Sequence, residues 1–196
     1  MGLRSVNNPV SSFNDPYSVT GNNSSTPCDP NDYNSGCFVS TPVDWGGDRG
    51  LWAGGVSPSY RNTIDYMSLV NGGSATDFGD LQSSRYDAFG LSNGSRGVFA
   101  AGHKWPGYSE VIDYITIQTP GNATDFGDMT YGARYPGATG DNTRGVYMGG
   151  DTGSMTNQID YITIQTTANA ADFGDLSQGV ANCTSCSDSH GGLGDY

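Results

Sequence analysis

Three phrases, RGVFAAG at 96–102, IDYITI at 112–117 and ATDFGDM at 123–129, decide the fold, because the chain carries all three again on either side. The earlier copy reads RGLWAGG (49–55), IDYMSL (64–69) and ATDFGDL (75–81), and the later one RGVYMGG (144–150), IDYITI (159–164) and AADFGDL (170–176). Corresponding phrases are offset by 47 or 48 residues. Three blocks recurring in one order at one period define a repeat architecture, in which each unit buries its apolar surface against its neighbours.

Within a unit, turns rich in Gly, Asn and Ser separate four short runs of strand formers. In the middle unit these predict strands near Tyr86–Leu91, Gly97–Ala101, Val111–Thr119 and Asp125–Thr130. Side chains alternate along a strand, so Ile112, Tyr114 and Thr116 share one face, and Asp113, Ile115 and Ile117 the other. Both faces are largely apolar. A sheet with one wet face alternates apolar with polar residues, whereas a sheet covered on both sides reads as this one does.

Composition points the same way. Glu110 is the only glutamate and Lys104 the only lysine, against 30 glycines and 12 tyrosines, so long surface helices have no material and an all-β fold is expected. The formal charge of −12 repels nucleic acid, and no basic stripe opposes it. No apolar run reaches the roughly 18 residues of a membrane span, and Met1–Tyr17 has no basic-then-apolar export pattern. A soluble chain without nucleic acid or membrane partners is the expectation.

The order of features resembles the kelch repeat: a strand ending in a Gly pair (Gly54-Gly55, Gly149-Gly150), then a strand bearing Tyr66, Tyr114 or Tyr161. An aromatic strand with Phe78, Phe126 or Phe173 follows, with Arg85 and Arg134 after the first two. The middle copy reads Gly102-His103 at the Gly pair, and Phe replaces the family's usual Trp. The resemblance implies kelch-like β-propeller blades, three four-stranded repeats of about 48 residues across 44–182. An extended polar N-terminal arm (1–43) would precede them, and a tail (183–196) would start an incomplete fourth repeat, with His190 in the arginine slot. The tandem phrases also look like repeats of tailed-bacteriophage virion proteins, those of marine and cyanobacterial phages in particular, from Asp44 to about Gly192. That resemblance implies a place in the virion, with assembly in the host cytoplasm.

Candidate site residues follow from the repeats and from the loop that breaks them. Asp77, Asp80, Asp125, Asp128, Asp172 and Asp175 flank a glycine in each unit and are weak calcium candidates; capping of turn amides is the favoured reading. Asp65, Asp113 and Asp160 sit inside a strand, and ion pairing with the recurring Arg49, Arg96 and Arg144 is expected. His103, Trp105 and Tyr108 make the 102–108 loop the best contact surface for a sugar or a protein, since aromatic faces carry much interface energy. Cys28, Cys37, Cys183 and Cys186 could form disulfides or hold zinc, and are read chiefly as free thiols.

No nucleophile–histidine signature or other catalytic constellation is present, so an enzyme is not expected, and no cofactor beyond possible calcium. The first functional expectation is a virion structural protein: a capsid decoration, spike, fibre or tail-associated component. The alternative is a glycan-binding adhesin or receptor-binding protein, and less favoured is a propeller glycosidase or lyase. Closed propellers take about four to eight blades, so three leave two open flanks and self-association or docking on other virion proteins is expected.

Overall fold

The structure is a computed structural model that describes residues 47–187, all within one unit, Gly46–Tyr196. The expected N-terminal arm, Cys28, Cys37 and His190 lie outside the described residues.

The described residues form β-strands and turns with no helix. In the first repeat β1 (Arg49–Ala53), β2 (Thr63–Ser68) and β3 (Gly72–Asp80) pair antiparallel in the order β1-β2-β3. The second holds β4 (Phe89–Ser92), β5 (Arg96–Ala100), the two-residue strands β6 (His103–Lys104) and β7 (Gly107–Tyr108), β8 (Val111–Thr116) and β9 (Thr124–Asp128). Its main sheet runs β4-β5-β8-β9, and β6-β7 is a separate hairpin. In the third, β10 (Gly137–Gly140), β11 (Arg144–Met148), β12 (Gln158–Thr163) and β13 (Ala171–Asp175) run in sequence order. The four expected strands of the middle repeat are therefore present, with β4 starting three residues later and β8 ending three residues earlier than the composition suggested. The first repeat differs from the expectation in having three strands among the described residues. The β6-β7 hairpin is unforeseen, because two-residue strands carry no periodicity.

The two-faced reading of the central strand explains how the sheets pack. Ile112 and the half-buried Tyr114 join Val98, Ala100, Phe126 and Met129 against Tyr147, Ile162 and Ile164 of the third sheet. Ile115, one step along, turns the other way and packs with Phe99 against Ile64, Phe78 and Leu81 of the first.

Matching contacts close both junctions. Arg49 Nη1 donates to the Ile117 carbonyl at 2.7 Å, and Arg96 Nη1 to the Ile164 carbonyl at 2.9 Å, each reaching 68 positions ahead into the next sheet. Each guanidinium lies over the tyrosine of its own sheet, 4.9 Å from the Tyr66 ring centre and 4.2 Å from that of Tyr114. The amide of Asp80 donates to Asn122 Oδ1 and that of Asp128 to Asn169 Oδ1, both at 3.1 Å. Gly79 and Gly127 must be glycine there, with φ of +149° and +142°, since a Cβ would run into the carbonyls of Gly121 and Ala168.

The expected pairing of Asp65, Asp113 and Asp160 with Arg49, Arg96 and Arg144 does not occur. Register explains it: Arg96 stands opposite Thr116, whereas Asp113 stands opposite Phe99, at the other end of the strand pair. Asp113 instead meets the fully buried Arg85 at 2.9 Å, from the segment joining the first two sheets. Burial pushes the Asp113 carboxyl up while the Arg85 guanidinium pulls it back, and the two form an ion pair. Asp160, equally buried, accepts the Thr130 amide and hydroxyl at 2.8 Å, and Asp65 is exposed.

A second correction concerns the Gly pair. Gly54, Ala101 and Gly149 have φ of +72°, +58° and +66°, and Gly55, Gly102 and Gly150 +108°, +103° and +107°. The middle copy of the pair is thus Ala101-Gly102, not Gly102-His103, and an alanine tolerates a left-handed conformation there.

Candidate binding face

The Gly pair turns each repeat's hairpin onto the segment linking it to the next sheet. The amides of Gly55, Gly102 and Gly150 donate to the carbonyls of Arg85, Ala133 and Val180, one linker residue per repeat. Hairpins and linkers therefore alternate along one end of the sheets.

Aromatic side chains fill that end in a continuous row. Tyr60, from the first hairpin, lies 4.9 Å from Tyr86 of the first linker and 5.7 Å from His103. Tyr86 and His103 are 5.0 Å apart and exchange main-chain hydrogen bonds, and His103 meets the edge of Tyr108 at 5.8 Å. Arg134 of the second linker continues the row 5.9 Å from Tyr108 and 5.3 Å from Tyr135. Its guanidinium holds Asp151 through Nε at 3.0 Å and Nη2 at 2.8 Å.

These positions are equivalent in the repeat. Val56 bridges to Tyr60, His103 pairs with Tyr108, and Asp151 bridges to Met155, so each hairpin presents the same two slots. Trp105 sits at the tip of the β6-β7 hairpin with 77% of its surface exposed.

Electrostatics fix the polar members. Arg134 holds the Asp151 carboxyl below the usual carboxylate range, with the Gly153 amide assisting. Asp87 raises the Tyr135 hydroxyl through its charge and a hydrogen bond, and partial burial raises that of Tyr86. The row thus offers flat apolar faces beside protonated phenols, a fixed cation and a fixed anion.

Of the residues singled out from sequence, His103, Trp105 and Tyr108 share this one hairpin, and the structure adds Tyr60, Tyr86, Arg134, Tyr135 and Asp151. Of the added ones only Tyr60 had a signal, a tyrosine one period before Tyr108; Tyr86, Arg134, Tyr135 and Asp151 are not repeated in kind at their equivalent positions, and they lie in segments that sequence assigned to turns or to the start of β4. The six aspartates around Phe-Gly are spread over three sheets. Asp77 and Asp172 accept the amides of Gly79 and Gly174 as turn caps, and no group of three or more potential ligands gathers among the described residues. Cys183 and Cys186 are free thiols, with the Cys183 thiol 3.6 Å from the Met148 carbonyl.

No protein-family model matches the chain, and no curated protein does. Among solved structures it is similar to that of YjhT, a kelch-like β-propeller, with a TM-score of 0.57 over 69% of this chain at 9% identity. The match covers 52% of YjhT, so the chain spans about half of that structure. The likeness is one of fold.

Proposed function

We propose that the protein is a non-catalytic binding and assembly component of a virion, built from three kelch-like blades, with the aromatic row as its contact surface. The row is the observation that carries the binding reading: Tyr60, Tyr86, His103 and Tyr108 come from different repeat segments yet stand within 6 Å of their neighbours, beside the fixed Arg134–Asp151 pair. Flat rings of this kind stack on sugar faces or clamp a partner's side chains. The blade reading is supported by the four-stranded sheets of the second and third repeats and by the fold likeness to YjhT. The virion reading is supported by the tandem phrases, which look like those of phage structural proteins.

A host-surface glycan is the second reading, favoured by Trp105, whose ring projects from the row into solvent. Asp151, whose carboxyl Arg134 holds down, is unsuited to the general-acid role of a glycosidase, which needs a raised carboxyl.

Two measurements separate the readings. Recovery of the chain from purified phage particles by mass spectrometry supports the structural role, and its absence from them refutes it. Binding on a glycan array that is lost with Trp105→Ala supports the glycan contact, and binding unchanged by that substitution refutes it.

A further inference from the structure

The contacts that join the first sheet to the second, and the second to the third, leave one half-set at each end. Phe78 and Phe126 are each 3% exposed at their junctions, whereas Phe173, in the same slot of the third sheet, is 50% exposed. Arg144 lies over Tyr161 and Phe173 at 4.9 and 5.0 Å but, unlike Arg49 and Arg96, has no carbonyl opposite it among the described residues. Gly174 keeps the unusual φ of +135° although nothing stands within 4 Å of where its Cβ would be, whereas Gly79 and Gly127 use that conformation to admit a neighbour's loop.

The first sheet carries the other half. Trp52 stands in the slot of Phe99 and Tyr147, and Leu69 in that of Ile117 and Ile164. The four equivalents are buried, yet Trp52 is 52% and Leu69 64% exposed. Gly73-Ser74 occupies the place of Gly121-Asn122 and Ala168-Asn169, so an oxygen acceptor is retained for the Asp175 amide.

The tail points the same way independently. Ser185 Oγ donates to the Ala138 carbonyl at 2.6 Å and Ser187 Oγ to that of Gly140 at 2.8 Å, so the segment 183–187 runs beside β10, one repeat further on. That is where the first strand of a fourth sheet belongs, as β10 lies beside β4. The first sheet is the one whose first strand is missing among the described residues.

We infer that two copies of this chain join head to tail, the third sheet of each packing on the first sheet of the other. Six sheets then close into a ring, within the roughly four to eight of known propellers. The 183–187 segment of one copy lies along β1 of its partner and completes that sheet to four strands, which removes an open edge. Each junction joins unlike faces, and a twofold axis relates the two junctions, so the pair is self-complementary and the assembly stops at two chains. The inference rests on the blade reading above.

Sedimentation velocity of the full chain tests it, with Phe173→Asp on one face and Trp52→Arg on the other. Both side chains are half exposed within a single copy, so each variant should keep the parent's circular dichroism spectrum and still melt cooperatively, at a lower temperature to the extent that association stabilises the parent. The parent should sediment as two chains, and either substitution should weaken association at least about thirtyfold, since it buries an unpaired charge at both junctions. An equimolar mixture of the variants should restore pairing, because one junction is then unaltered and the other sets the introduced carboxylate against the introduced guanidinium. A monomeric parent, assemblies larger than two chains, insensitivity to either variant, or loss with Phe173→Asp alone would each overturn the inference. A monomer that still binds glycan through Trp105 would overturn it while leaving the binding face intact.

Discussion

Three aspartates hold the same place in the repeat, and substituting each with asparagine should have three different outcomes. Asp113 is fully buried, with Oδ2 at 2.9 Å from Arg85 Nη2, and the fully buried Arg85 has one further acceptor among its described contacts, the Phe99 carbonyl at 3.1 Å. Asp113→Asn keeps the shape of the side chain but removes the anion, leaving a buried guanidinium uncompensated. Breaking one side of such a pair costs about 3 to 5 kcal/mol. Asp160 is as buried but faces neutral donors, the Thr130 amide and hydroxyl, with Gln158 Nε2 at 3.2 Å. Asparagine there retains one oxygen and turns an amide toward a donor, a loss of about 1 to 3 kcal/mol. Asp65 is exposed and its substitution should stay within experimental scatter. Urea unfolding, read as midpoint shifts at constant slope, gives the three values directly. A double variant, Arg85→Met with Asp113→Leu, should recover most of the Asp113→Asn loss, because an apolar pair of similar size has no charge to strand. If Asp65→Asn proved as costly as Asp113→Asn, or Asp113→Asn cost less than about 1 kcal/mol, the environments described here would not be those that govern stability.

In the unassociated chain, Phe126→Ala should destabilise by about 3 to 5 kcal/mol and Phe173→Ala by less than half of that, following their burial, while Asp125→Asn at an exposed position costs far less than either. If instead Asp125→Asn were the costlier change, and added calcium raised the melting temperature of the parent alone, the calcium reading would prevail. Acid should weaken the fold. Asp141 accepts the Thr143 and Arg144 amides, which holds its carboxyl below its ordinary value, and Asp48 and Asp151 are lowered likewise. The unfolded chain then binds more protons, so this stabilisation is complete above about pH 4 and is lost as pH falls through the lowered values. Asp141→Asn should flatten that part of the melting-temperature profile without dismantling the turn, because Asn93 already accepts the matching amides of Ser95 and Arg96 in the second repeat. A profile that kept its full slope in that variant would refute the assignment.

Periodicity made the sheets legible before any coordinates. Ile112 and Ile115 belong to opposite faces because alternation says so, and each is found against a different neighbouring sheet. What sequence could not supply was anything set by register or by linker path. Arg96 and Asp113 look like partners until Thr116 and Phe99 are seen to be their opposite numbers, and Arg85, the partner Asp113 does take, sits outside every strand. The aromatic row was half legible for the same reason. His103, Trp105 and Tyr108 are neighbours in sequence, whereas Tyr60, Tyr86 and Arg134 reach them only after the Gly pairs have folded hairpins onto linkers. Gly79 and Gly127 stand out in sequence only as the glycine of a repeated block, yet the next repeat's loop is what requires them.

Arg49 and Arg96 grip peptide oxygens, not side chains. A main-chain acceptor is offered whatever residue stands there, so the position filled by Leu69, Ile117 and Ile164 can drift without either end of the contact having to adjust. Such an attachment leaves no correlated substitutions for a comparison of relatives to detect. It also makes this one contact transferable: a copied repeat arrives with an arginine able to hold and a carbonyl able to be held, and only the apolar packing of the junction is left to be matched.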